Sequence, residues 1–237
     1  MKLKSVFFTI FSIVILVSNC NPQDPAAGTC NAGSNEIGTW SDGCTADTAN
    51  GSSSRTTMSF DGTTNIAFSE IYMANTVCSG LADAKIRGTF NYAKGTSGTT
   101  NFDSVITGIN NTVTVASTGL VNATEIDLTT TSIEILYQDP QIVASLNGIM
   151  SNCSFVAGQF YTLSPACELQ FYGTSFTGTT FYDKLAFEQN RLYTGSGYVT
   201  GDISGSPSND GSIAQLRAPT ILKTMDGVDA GLQYQCY

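Results

Sequence analysis

The sequence predicts an all-β protein, an antiparallel barrel with one short helix, and three observations predict it. Charged residues make up only 12% of the 237-residue chain, while Gly, Ser and Thr abound and β-branched and aromatic residues come in short bursts. That mixture favours strands and turns over helices. Apolar residues recur with a period of two through several segments, which marks strands with one buried face. Finally, the strand candidates are many, short and free of any fixed repeat or βα rhythm. Closure into a barrel removes the edges such strands would otherwise expose. A sandwich of two sheets gives nearly the same pattern and stands as the alternative.

The elements follow in order. Residues 1–19 read as a signal peptide, with Lys2 and Lys4 as its positive start and an apolar run of twelve from Val6 to Val17, too short for a comfortable membrane span. Residues 20–35 contain no apolar periodicity and read as a tether. The domain is expected over 36–237. Met58 and Phe60 share one strand face, and Asp61-Gly62 supplies turn residues. Ile66, Phe68 and Tyr72 share a face of the next strand, and Ile86, Gly88, Phe90 and Tyr92 alternate with Lys85, Arg87, Thr89 and Asn91. Further strands are expected at 101–107, 112–117, 123–128, 131–138, 167–172, 180–187, 190–194 and 213–217. The helix is expected in DPQIVASLNGIM: Asp139 caps it, Pro140 opens it, and Ile142, Val143, Leu146, Ile149 and Met150 recur at helical spacing.

Seven cysteines in an exported chain leave one over. If Cys20 carries a lipid, six remain, and six allow fifteen pairings among which chain order does not choose. The preferred set is Cys44 with Cys78, Cys153 with Cys167, and Cys30 with Cys236, so that each half has its own staple and the third joins the termini.

The formal net charge is −9, and removal of the leader makes the chain more acidic still. This argues against nucleic acid as a partner. The chain has no histidine, which excludes Ser-His-Asp and Cys-His triads and imidazole metal sites. Glu70, Glu125, Glu134, Glu168 and Glu188 remain as carboxylates able to pair for glycoside chemistry, but spacing does not say which converge, and solvated strand faces explain them better. The loop DISGSPSNDGS gathers Asp202, Ser204, Ser206 and Asp210, yet Ile213 stands where a calcium loop needs its last acid. With no P-loop or dinucleotide glycine pattern, neither cofactor nor metal is expected, and the protein is expected not to be an enzyme.

Two resemblances add to this reading. Leu16-Val17-Ser18-Asn19-Cys20 resembles the lipobox of bacterial lipoproteins, and Asn19 makes it similar to the looser signals of spirochaetes. The resemblance implies lipidation at Cys20 and a membrane-anchored protein of the cell envelope, at the outer membrane or facing the periplasm. An ordinary secretory signal that leaves Cys20 in the mature chain is the alternative. Gly38-Thr39-Trp40 resembles the first-strand signature of lipocalins and the wider calycin group. That resemblance implies an indole closing one end of the barrel with an arginine packed over it, and the matching arginine is Arg217 in LRAPT. Together with Cys44, SEIYMANTVC with Cys78, RGTFNY and a later cysteine pair, the chain looks like a bacterial lipocalin-like lipoprotein. A lipocalin-like barrel implies a small, largely hydrophobic ligand, with Phe68, Tyr72, Phe90 and Tyr92 as candidate walls. The alternative is a surface interaction protein, an adhesin, that meets a protein partner through the polar loops 94–101 and 195–212.

Overall fold

The computed structural model describes residues 36–203 and 206–235. In chain order the strands are β1 (Gly38–Ser41), β2 (Thr45–Asp47), β3 (Ser52–Phe60), β4 (Thr64–Tyr72), β5 (Ala84–Thr107) and β6 (Val113–Tyr137). Helix α1 (Pro140–Ile149), β7 (Tyr161–Thr162) and helix α2 (Pro165–Tyr172) follow. The chain continues with β8 (Thr180–Glu188), β9 (Arg191–Ser196), β10 (Thr220–Met225), β11 (Val228–Asp229) and β12 (Leu232–Tyr234).

Eight of these strands form a closed barrel. Around the ring run β1, β3, β4, β5, β6, β8, β9 and β12, each antiparallel to the next. The ring order is the chain order, so the topology is up-and-down. The seam is β1 against β12, where Trp40 stands opposite Tyr234 and Ser41 opposite Gln233. The fold class read from the sequence is therefore the observed one, and the sandwich alternative is not.

Alternation decides which side chains fill the barrel, because successive residues of a strand face opposite ways. Met58 and Phe60 of β3, Phe90 and Tyr92 of β5, Ile126 and Leu128 of β6, Leu185 of β8, Leu192 of β9 and Leu232 of β12 pack into one core around Trp40. A bulge lets β6 keep this face apolar despite a change of parity in its sequence. Thr89 pairs with Ser132 and Phe90 with Thr130, which leaves Thr131 as the extra residue. Ile133 and Ile135 thereby stay on the side of Ile126 and Leu128.

β5 and β6 are longer than the barrel needs. Their far ends make a second closed circuit: β10 runs parallel to β5 from Phe102 to Val105 and antiparallel to β9 at Gly195 and Ser196. β8 and β9 are the wall between the two. Leu185 and Leu192 belong to the barrel core, whereas their neighbours Ala186 and Tyr193 pack with Phe102, Val121, Ala123 and Ile221 on the other side.

Both helices pack at one end of the barrel face. α1 forms as expected: the Asp139 carboxylate accepts from the Gln141 N–H at 2.7 Å and Pro140 opens the first turn. A second helix corrects the expectation of only one. Residues 167–172, read as a strand, lie in α2, which Ser164 caps by accepting from the Cys167 N–H, Pro165 opens, and Gly173 ends in the left-handed conformation at φ 81°. Local capping wins there over a weak period-two pattern. The residues of 213–217 are likewise no strand but hold a short 3₁₀ turn at Ala214–Leu216. Val143, Phe155, Phe171 and Tyr172 from the helical segment bury Ile86, Ile133 and Ile135 of the sheet.

Two bridges occur as expected, Cys44–Cys78 and Cys153–Cys167. Cys20, Cys30 and Cys236 lie outside the described residues, as do the signal peptide and the tether.

Candidate functional site

The barrel interior is not filled throughout. Around Trp40 it is dense: the indole is fully buried, donates its N–H to the Glu36 carbonyl at 2.8 Å, and meets the rings of Tyr234 and Phe187 at 5.0 and 5.5 Å. Toward the helical end it opens into a cavity of about 460 Å³. Phe90 and Ile133 form one wall, Tyr172 and Phe176 another, Phe181 a third, and the segment 207–212 reaches over from the far side. The rings form a linked series, with Tyr172 and Phe176 5.7 Å apart and Phe176 and Phe181 6.1 Å apart.

A single acid interrupts this apolar lining from within the sheet. Asp183 stands in β8 opposite Ile126, on the inward face it shares with Phe181 and Leu185. Its Oδ1 accepts from the N–H groups of Lys184 at 2.7 Å and Gly195 at 3.0 Å, and among the described residues nothing donates to Oδ2. Burial pushes its pKa up to about 6, against the opposing pull of those N–H groups and of Arg217. Sequence reading missed this residue. The signal was present in FYDKLAF, where an aspartate takes a position in the apolar series Phe181, Leu185, Phe187.

Two further acids build the walls without facing the cavity. Glu168, fully buried on α2, accepts from Ser175 Oγ at 2.6 Å, Phe176 N at 2.7 Å, Thr177 N at 3.1 Å and Thr177 Oγ1 at 2.5 Å. It thereby fixes the loop that presents Phe176. Asp202 accepts from Val199 N at 2.7 Å and from both the N–H and the hydroxyl of Ser208, which ties Val199 and Ser208 to one carboxylate. Among the described residues no cluster of three metal-ligating side chains occurs.

The other glutamates do not converge. Glu70 binds Arg55 and Lys85, Glu134 binds Arg87, and Glu125 lies 3.9 Å from Arg217. Among the described residues no glutamate lines the cavity.

Of the four aromatic residues expected to line a ligand space, Phe90 does so. Tyr92 also faces inward, but its ring packs edge-on against Phe60 and its hydroxyl donates to Glu36 at 2.9 Å. Phe68 and Tyr72 face outward, a correction that follows from register: Ala67 pairs with inward Met58 and Gly88, so Phe68 falls on the other face opposite Thr57 and Arg87. Phe68 meets Lys85 and Phe160 there, and the Tyr72 hydroxyl joins Arg55 and Glu70.

Arg217 is also placed differently from the expectation of a guanidinium over the Trp40 indole. It lies 5.3 Å from the ring centre of Tyr182 and donates to the carbonyls of Ile126 and Asp183 at 2.7 and 2.8 Å and to Asp127 at 2.5 Å. Asp127 and Tyr182 are register partners on the outward face of β6 and β8, so two acids and two carbonyls hold the arginine outside the barrel. Aromatic neighbours close over the indole instead.

Fold and site together define an up-and-down β-barrel with a dense core at its seam and an aromatic, acid-bearing cavity toward its helical end. No protein-family model matches the chain, and no curated protein matches it.

Proposed function

We propose that the protein is a lipid-anchored cell-envelope lipoprotein whose barrel binds or carries a small, largely hydrophobic ligand. The observation that supports the binding role most directly is the cavity itself. Its volume of about 460 Å³ lies within the range of small-molecule sites, and a mostly apolar wall rich in aromatic rings, with polar side chains such as Asp183 and Asn209 set into it, matches their usual chemistry. Anchoring rests on the sequence around Cys20, and kinship with lipocalins rests on the Gly38-Thr39-Trp40 signature. The chain also lacks histidine, so we propose a binding protein rather than an enzyme.

The rival reading is an adhesin acting through polar loops on a filled barrel. Of the loops it invokes, residues 94–101 belong to β5, and Gly197, Tyr198, Pro207 and Asn209 are among the residues of the second that line the cavity. Native mass spectrometry of the mature protein purified from its membrane tests the proposal. A bound small molecule released by organic solvent is the expected result. An unliganded protein that also fails to take up a hydrophobic fluorescent dye would count against it.

A further inference from the structure

We propose that the cavity selects a ligand with a protonated amine on an apolar body, and that Asp183 is the counter-ion of that amine. This rests on the binding reading above and names the chemistry of the ligand.

Charge decides the sign. Among the described residues two carboxylates, Asp183 and Asp210, line the cavity, and no lysine or arginine does. The neighbouring cations are committed elsewhere: Arg217 to Asp127 and two carbonyls on the outward face, Lys184 to the Pro219 carbonyl at 2.9 Å. A fatty acid would bring a third negative charge into an apolar space, which is costly without a partner. An ammonium group meets the reverse situation. Oδ2 of Asp183 accepts from no described residue, and a charge-assisted bond to it is among the stronger contacts a small ligand can make. Phe90, Phe176 and Phe181 line the same space, and aromatic rings favour a cation placed over them. Thr130 also stands in the cavity wall, with its hydroxyl oxygen buried and without a partner among the described residues.

The groups around Asp183 set its response to pH. Arg217 and Lys184 are the cations around Asp183, and Tyr172, Tyr182 and Tyr198 are the tyrosines of the lining. Asp210 is the other carboxylate of the lining and is separable by mutation. Since burial places Asp183 near pH 6, acidification through that value removes the counter-ion while an alkylamine remains protonated.

Calorimetric titration of the mature protein with octylamine, octanol and octanoate tests the proposal, because the three share one body and differ in head-group charge. At neutral pH octylamine is expected to bind about tenfold more tightly than octanol, and octanoate more weakly than either. Asp183→Asn is expected to remove the preference for the amine over octanol, whereas Asp210→Asn retains most of it. For the unmodified protein, octylamine affinity is expected to fall as the pH drops below about 6 while octanol affinity holds, a readout that needs no variant to fold. Equal binding of all three, or a flat pH profile for octylamine, overturns the amine proposal and leaves the cavity reading standing. Binding of none overturns both.

Discussion

The N–H of Gly195 and the carboxylate of Asp183 are 3.0 Å apart, and no side chain larger than hydrogen fits at position 195. A β-carbon there would overlap Oδ1 of Asp183 and the methyl of Ala218. The glycine therefore sets where the acid points. Gly195→Ala is expected to destabilise the protein by about 1–3 kcal/mol through overpacking and to displace Asp183 from the cavity. Urea midpoints together with octylamine affinity measure both effects, and a variant unchanged in both would show that the glycine has no such role.

Asp183 itself costs stability at neutral pH. Its pKa rises from an ordinary value of 3.8 to about 6 on folding, so the folded state holds this proton more tightly than the unfolded state does. Its contribution therefore falls as pH rises from about 4 to about 6 and stays low above that. Asp183→Asn is expected to gain on the order of 2 kcal/mol at neutral pH and nothing at pH near 3. Thermal melts across that window check the sign.

Glu168 makes four hydrogen bonds to residues 175–177 from a fully buried position. Glu168→Gln removes the charge that strengthens these bonds and makes the Thr177 hydroxyl turn to accept, with an expected loss of about 1–3 kcal/mol. Because this loop carries Phe176, hydrogen exchange is expected to rise at 174–179 before the rest of the barrel opens. Uniform exchange across the molecule would contradict that order.

The two bridges differ in what they hold. Cys153–Cys167 ties the end of α1 to the start of α2 across a separation of 14 residues, whereas Cys44–Cys78 spans 34 beside β3 and β4. Replacing either pair by serine is expected to cost about 3–4 kcal/mol by loop entropy, slightly more for the longer loop. Loss of the first pair is expected to lower dye binding at the cavity as well, since α2 supplies Tyr172. The second pair is expected to affect stability alone.

Anchoring has its own test. Cys20→Ala is expected to abolish incorporation of labelled fatty acid and release the protein from the membrane fraction. Retention of both would refute lipidation at this position.

Much of the framework was legible in the chain. The period of two through 58–60 and 85–92 and the Asp139-Pro140 helix start each reflect a rule that acts within a few residues or between sheet neighbours, whereas the two cysteine pairs were a preference among fifteen pairings that the fold bears out. α2 was hidden because 167–172 also fits a short strand, and only the caps at Ser164 and Gly173, with burial of Phe171 and Tyr172 on the sheet, select the helix.

Position around the ring was beyond the sequence. Alternation shows that Phe68 and Tyr72 share a face, but it does not tell which face is inside. Register with β3 and β5 decides that, and it turns both residues outward. Likewise Arg217 meets Tyr182 instead of Trp40 because the segment before β10 crosses the outside of β6 and β8. The sequence by itself determined the alternation, the caps and the charge. Tertiary structure alone decided that Asp183 stands at an open cavity, because a closed ring of strands acquires an inside only when all eight registers are fixed together.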